Sequence, residues 1–311
     1  MTACLIISSL AEEYEQELAA IPDLDIEVSV CKTAKQALQQ YRNQTVVFGD
    51  PDLVAPILSD LPGIDWVQST WAGVLPFIRA KRRDYTLTGV KGVFGSQMSE
   101  FVLGYLLAHE LRIFARQQAQ QKKEWYRAQS EMLAGKCLGV MGTGSIGRHI
   151  ARTAAAFGMR VNGLSRSGKA LQEFDTVFPI AKLDRFLESV DHLVATLPQT
   201  PDTDDLLNAG TLARLSSDAC FINVGRSNVV DNDALIAALA SGELGGAVLD
   251  VFDREPLPED SPLWQVPKLL ITAHISAVSH PSLVVPIFAE NLRRYQAQQA
   301  MKYAIDFETG Y

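Results

Sequence analysis

The chain has 311 residues, 47% of them hydrophobic and 21% charged, with a formal net charge of −8. That is enough apolar material for a packed core and enough length for two domains, and the acidic balance argues against nucleic acid or an anionic membrane as the main partner. No run approaches the ~18 apolar residues of a membrane span, and the N-terminal MTACLIISSL lacks a basic n-region, so neither membrane anchor nor signal peptide is expected.

Taken in order, Leu5 to Ser9 reads as a buried strand and Glu12 to Ala20 as a helix. Ile26 to Val30 is a second strand, followed by a helix over Thr33 to Tyr41; Thr45 to Gly49 is a third, with Asp50-Pro51 opening another helix, where proline suits the first turn. Trp66 to Ser69 is a fourth strand, followed by the turn Thr70 to Val74. Strands alternating with helices predict a parallel sheet covered on both faces. Gly95 to Gln121 reads as one long helix, with Phe101, Leu103, Leu106, Leu107, Leu111 and Phe114 on its apolar face.

Cys137 to Met141 is a short apolar strand that turns sharply at Gly142-Thr143-Gly144-Ser145-Ile146-Gly147. Ile146, Ile150, Ala151, Ala154 and Phe157 then recur at helical spacing. Strand, glycine turn and helix together form the context a dinucleotide-binding fingerprint requires. Gly142 permits the tight turn, Gly144 the approach of a pyrophosphate to the backbone, and Gly147 close packing of helix on strand. The following strand, Met159 to Leu164, ends in Ser165-Arg166-Ser167-Gly168-Lys169. An NAD site would carry an Asp or Glu there for the ribose 2′-hydroxyl; an Arg, a Lys and two hydroxyls suit a 2′-phosphate, so NADP(H) is expected over NAD(H).

Further strands are expected at His192–Leu197, Cys220–Val224, Gly246–Val251 and Leu269–Thr272. The last helix, Pro281 to Gln299, is expected to return to the first domain with Ala304-Ile305-Asp306. The fold class is therefore α/β: two Rossmann-like, doubly wound parallel-sheet domains with an interdomain cleft. Residues 1–96 plus 280–311 form a discontinuous, flavodoxin-like substrate domain, and residues 97–279 form the dinucleotide-binding domain. The four cysteines are scattered, with neither disulfide nor metal-site spacing, which fits reduced thiols in a cytoplasmic protein and no bound metal.

In open α/β sheets ligands bind at the carboxyl ends of the strands. Arg226 follows FINVG, Asp250 closes GAVLD, Glu255 lies in the loop beyond it, and His274 follows LLITA. A hydride-transfer enzyme for hydroxy acids needs a cation for the carboxylate, which Arg226 suits as a planar fork. It also needs an acid/base for the carbinol proton, which His274 suits because imidazole titrates near neutrality. Glu255, bonded to the imidazole, would orient the ring and favour its charged form. Of the five histidines, His274 alone has the strand-end position; His192 begins a buried strand, His109 and His149 fall within helices, and His280 precedes Pro281.

The segments LAGKCLGVMGTGSIG, ATLPQTPDTDDLLN, FINVGRSNVVD, AVLDVFDREPLPEDSPLW and ITAHISA occur in the order and spacing of a known family. The chain resembles the D-isomer-specific 2-hydroxyacid dehydrogenases, most of all their glyoxylate/hydroxypyruvate reductase A subgroup, through the SRSGK loop, the short length, WVQSTWAGV and the terminal Gly310-Tyr311. The resemblance implies NADPH-dependent reduction of a small 2-keto acid to the D-2-hydroxy acid. In that reading Arg226 binds the carboxylate, His274 donates the proton and Glu255 pairs with His274. It further implies that Asp250 holds the nicotinamide carboxamide, that Leu197, Pro198, Val224, Gly225 and Ser276 line the cofactor, and that Trp71, Ala72, Gly73 and Val74 hold the substrate. A homodimer is the expected assembly. Glu255 in place of Gln argues against formate dehydrogenase activity. Two alternatives stand beside this reading: a dinucleotide-sensing, corepressor-like binding module, and a reductase for larger 2-keto acids.

Overall fold

The computed structural model describes residues 1–308; the terminal Gly310-Tyr311 lies outside the described residues. The chain divides into two compact units, one of Met1–Val93 with the chain from Ser279 onward, the other of Phe94–Val278.

The first unit runs β1 (Thr2–Ile7), α1 (Ala11–Ala19), β2 (Ile26–Cys31), α2 (Ala34–Gln40), β3 (Val46–Gly49), α3 (Pro51–Val54), β4 (Trp66–Ser69), α4 (Leu75–Arg79) and β5 (Thr86–Thr88). Its five strands are all parallel, in the order β2-β1-β3-β4-β5. One face buries Leu5, Ile7, Val47, Val67 and Leu87 under the short helices. The other receives the last helix of the chain, Pro281–Gln296. Phe288 on that helix stacks on Phe48 at 4.4 Å and on Trp66 at 5.2 Å between ring centroids. The buried Asn291 amide donates to Gln68 Oε1 at 3.1 Å.

The second unit runs α5 (Gly95–Glu110), α6 (Ile113–Gln121), β6 (Cys137–Met141), α7 (Ser145–Ala156), β7 (Arg160–Ser165), β8 (Thr176–Pro179), α8 (Leu183–Leu187), β9 (His192–Ala195), α9 (Ala209–Leu212), β10 (Cys220–Asn223), α10 (Asn232–Ser241), β11 (Gly246–Leu249) and β12 (Leu269–Ile271). The last helix of the chain, Pro281–Gln296, which belongs to the first unit, is α11. Seven parallel strands stand in the order β12-β11-β10-β9-β6-β7-β8. The winding reverses between β6 and β9, which is where such sheets open a crevice for a ligand.

Two features depart from the sequence expectation. The long helix over Gly95 to Gln121 is two helices, broken at Leu111-Arg112, where Arg112 takes a left-handed φ of +52°. Its guanidinium compensates by donating to Gln129 O at 3.0 Å. The break leaves Leu111, Ile113 and Phe114 well exposed, so the apolar stripe that suggests continuity is only partly a core face. In addition, each sheet carries an unpredicted edge strand, β5 and β8, of three and four residues; runs that short carry little periodic signal.

Candidate active site

The glycine turn stands at the reversal point of the second sheet, between β6 and α7. Gly142 has φ +101°, a conformation that favours glycine, and a Cβ there would come within 2.7 Å of Thr196 Oγ1. A Cβ on Gly147 would collide with Gly142 O. A Cβ on Gly144, by contrast, would meet nothing within 4 Å. Two glycines are thus demanded by the protein's own packing, while the third faces open space at the N-terminus of α7, where no side chain caps the helix. Unpaired N–H groups and the positive end of the helix dipole fit a pyrophosphate, so the residues present suit a dinucleotide.

At the end of β7, Ser165 Oγ accepts Gly168 N–H at 3.1 Å and Ser167 Oγ accepts Lys169 N–H at 3.3 Å. Gly168 has φ +67°. These bonds fold the SRSGK segment into a tight turn while leaving each hydroxyl proton able to donate, and Arg166 stands between the two serines.

Arg226, Glu255 and His274 follow β10, β11 and β12, three neighbouring strands whose last residues Asn223, Leu249 and Ile271 are in register. The fully buried Asn223 shapes the first loop. Its Oδ1 accepts Gly225 N–H at 3.1 Å and its amide donates to Arg226 O at 2.9 Å. Gly225 has no room for a Cβ, which would lie 2.7 Å from Leu197 O. Among the described residues Arg226 makes one side-chain hydrogen bond, from Nη1 to Gly225 O at 2.6 Å. Burial pushes its guanidinium below the ordinary value and the charge of Glu255 opposes that shift; the group stays charged at any working pH, with most of its donors available.

His274 Nδ1 lies 2.8 Å from Glu255 Oε2, both side chains being partly open to solvent. Glu255 Oε1 accepts Phe252 N–H at 3.0 Å, which holds the carboxylate in place. With Nδ1 occupied, Nε2 is the ring nitrogen left for a substrate. Asp250 is fully buried beneath this loop and accepts from Thr272 Oγ1 at 2.5 Å, Ile275 N–H at 2.9 Å and Ser276 N–H at 2.9 Å. Asn223 and Thr272 are the residues the sequence reading passes over: each sits at a strand end, but neither carries a charge to draw attention to it.

The remaining predicted residues fall in two places. Leu197 and Pro198 follow β9, and Val224 follows β10, all at carboxyl ends of the same sheet. Trp71, Ala72, Gly73 and Val74 belong to the first unit, in the turn after β4. Ser69 Oγ accepts Trp71 N–H at 3.1 Å and donates to Trp71 O at 2.8 Å. Trp71 and Ala72 are exposed, whereas the Val74 side chain is buried, so Val74 offers a ligand only its backbone.

A second polar cluster lies at the amino ends of the seven strands. The buried Glu110 carboxylate meets Lys136 Nζ at 2.6 Å and His192 Nε2 at 3.0 Å, the latter outside good hydrogen-bond alignment. Burial would raise this carboxyl, but those two partners hold it down to about 2. Ligand-type atoms of His109, Glu110 and His192 lie within 4.8 Å of one another. Lys136 already neutralises the carboxylate there, and His192 Nδ1 accepts Cys220 N–H at 3.2 Å, so the cluster is an ion network. It borders a cavity of about 900 Å³ that also touches Lys268 and Gly246. This cavity is at the end of the sheet away from the glycine turn.

Residues 103–276 match the family model for the D-isomer specific 2-hydroxyacid dehydrogenase NAD binding domain. A glyoxylate/hydroxypyruvate reductase A of Serratia proteamaculans is 34% identical over 215 residues, 69% of each chain. A D-isomer specific 2-hydroxyacid dehydrogenase family protein of Aeromonas salmonicida superposes with TM-score 0.93 at 38% identity, covering 98% of this chain and 99% of that one. An NADPH-dependent glyoxylate/hydroxypyruvate reductase of Sinorhizobium meliloti, solved with NADP and sulfate, superposes with TM-score 0.86 at 30% identity over the whole of both chains. With the glycine turn and the strand-end Arg, Glu and His in place, these matches show that the chain belongs to the D-isomer specific 2-hydroxyacid dehydrogenase family and is an oxidoreductase.

Proposed function

We propose that this protein uses NADPH to reduce a small 2-keto acid, of the glyoxylate or hydroxypyruvate type, to the D-2-hydroxy acid. One observation carries the reading: a guanidinium and a carboxylate-paired imidazole follow three adjacent strands in the same unit as a glycine turn with open space over Gly144. When bound, the reduced nicotinamide would supply a hydride to the carbonyl carbon. Arg226 grips the substrate carboxylate and polarises the carbonyl. His274, held at Nδ1 by Glu255, gives the carbonyl oxygen a proton from Nε2, and in oxidation the neutral ring takes it back.

In this reading Gly142 to Gly147 and the start of α7 hold the pyrophosphate, and Ser165, Arg166 and Ser167 hold the 2′-phosphate. The absence of a carboxylate at the end of β7 supports NADPH over NADH. Leu197, Pro198, Val224, Gly225 and Ser276 serve the nicotinamide side, and the Trp71–Val74 turn serves the substrate carboxylate, both on the family resemblance. Asp250, implied there by the same resemblance, is fully buried with its carboxylate taken up by Thr272, Ile275 and Ser276, so it serves that side through the loop it holds. The test is a panel of 2-keto acids assayed with NADPH and NADH. Turnover of glyoxylate and hydroxypyruvate with NADPH is the expected result. Dinucleotide binding without turnover of any keto acid would favour the corepressor-like module instead, and preference for bulky keto acids would favour the third reading.

A further inference from the structure

His274 has a left-handed backbone, φ +54°. For a residue with a Cβ that conformation persists only where the surroundings impose it. The imposing group here is Asp250. Its backbone oxygen accepts His274 N–H at 2.8 Å, its Oδ1 accepts Ile275 N–H at 2.9 Å, and its Oδ2 accepts Ser276 N–H at 2.9 Å. Three consecutive N–H groups thus converge on one aspartate, the first on its backbone oxygen and the next two on its anionic carboxylate. The fourth partner is Thr272, whose backbone N–H is tied to Leu249 O at 3.0 Å and whose hydroxyl donates to Asp250 Oδ1 at 2.5 Å. Asp250 has no exposure to solvent, so in the folded protein the side-chain donor to that oxygen is the Thr272 hydroxyl.

We propose that Thr272 is a positioning residue for His274: its hydroxyl fixes the Asp250 carboxylate, which fixes the left-handed turn that carries the imidazole. The inference rests on His274 being the proton donor. The charged groups around the ring in this unit are Glu255, 2.8 Å from Nδ1, and Arg226 beside Glu255, with Asp250 beneath the backbone. Neither Thr272 nor its methyl group is needed to hold the Glu255 contact directly. Its influence on chemistry is therefore through ring placement, which affects the proton-transfer step more than ground-state binding.

The experiment is steady-state reduction of glyoxylate with NADPH by the wild type, Thr272→Val, Thr272→Ala and Thr272→Ser, with fluorescence titration of NADPH and thermal melts. A wild type that turns over no keto acid defeats the proposed function before this question arises. With an active wild type, the variants without a hydroxyl should lose kcat by about tenfold to a hundredfold, while glyoxylate KM and NADPH Kd stay within about threefold. Thr272→Ser should recover kcat to within about threefold of wild type, because it restores the donor. Unchanged kcat in a folded Val or Ala variant overturns the proposal. So does a Ser variant as impaired as Val, or parallel damage to kcat, KM and Kd, or failure of both hydroxyl-free variants to fold, which would make the residue structural only.

Discussion

Both units contain the same small device, used for different ends. In the first, Asp50 directly follows β3 and takes the hydroxyl of Thr70, directly after the neighbouring β4, at 2.5 Å on Oδ1. In the second, Asp250 directly follows β11 and takes the hydroxyl of Thr272, directly after the neighbouring β12, at the same distance. Each aspartate is buried. The partners of the second carboxylate oxygen differ. Asp50 binds Ser8 Oγ and Ser9 N–H, so it staples strand ends to one another. Asp250 takes Ser276 N–H on Oδ2, and Ile275 N–H beside the Thr272 hydroxyl on Oδ1, so it staples a strand end to the segment just after a titratable ring. A parallel sheet supplies the platform in both; in the proposed reading the chemistry belongs to the one that carries Arg226, Glu255 and His274.

That contrast is broken or sharpened by substitution, and the largest effect is expected at the ring. His274→Ala should lower kcat for glyoxylate reduction by roughly 10²–10⁴, with NADPH affinity nearly intact in a fluorescence titration. Next comes Arg226→Ala, which removes a charged fork; each charge-assisted bond contributes roughly 1.5–3 kcal/mol, so kcat/KM for the keto acid should fall by about a hundredfold, through both parameters. A loss confined to NADPH binding would instead place Arg226 on the cofactor.

Arg166→Asp is expected to raise the NADPH KM by about tenfold or more and to lower that for NADH, since a carboxylate repels the 2′-phosphate and accepts from a 2′-hydroxyl. An unchanged ratio between the two cofactors would remove the SRSGK turn from cofactor choice.

The smallest effect is expected at Asp50. Burial raises its carboxyl above the usual value, with Thr70, Ser8 and Ser9 pulling the other way. A raised folded-state value means stability that is present below the unfolded value of 3.8 and lost as pH rises through the folded one. Wild type should therefore lose melting temperature relative to Asp50→Asn as pH climbs from about 3.8, and kcat should barely change. A fall in kcat comparable with that of His274→Ala would erase the distinction between the two units.

The charged members of the candidate site were readable because charge after an apolar run is conspicuous: Arg226 after FINVG, His274 after LLITA. The neutral residues that hold those loops, Asn223 and Thr272, gave no such signal, since an amide or hydroxyl at a strand end is equally at home in any turn. The helix break at Arg112 was also hidden. Neither glycine nor proline marks it, and the left-handed residue is an arginine whose compensating bond to Gln129 O spans 17 residues. β5 and β8 were invisible because three or four residues cannot establish an alternation. Tertiary pairing, not local propensity, makes them strands.

The return of α11 to the first sheet has a consequence for biosynthesis. The second unit is one uninterrupted stretch, Phe94–Val278, and holds all its own strands. The first unit begins earlier but lacks Phe288 against Phe48 and Trp66 until the final helix is made. At ~5–20 residues per second on the ribosome, the roughly 200 residues between the two parts take about 10–40 s. Through that interval an aromatic sheet face waits uncovered while the later-made unit can already close. The segment synthesised first is thus the last to finish folding, its Phe48 and Trp66 face covered only when α11 arrives.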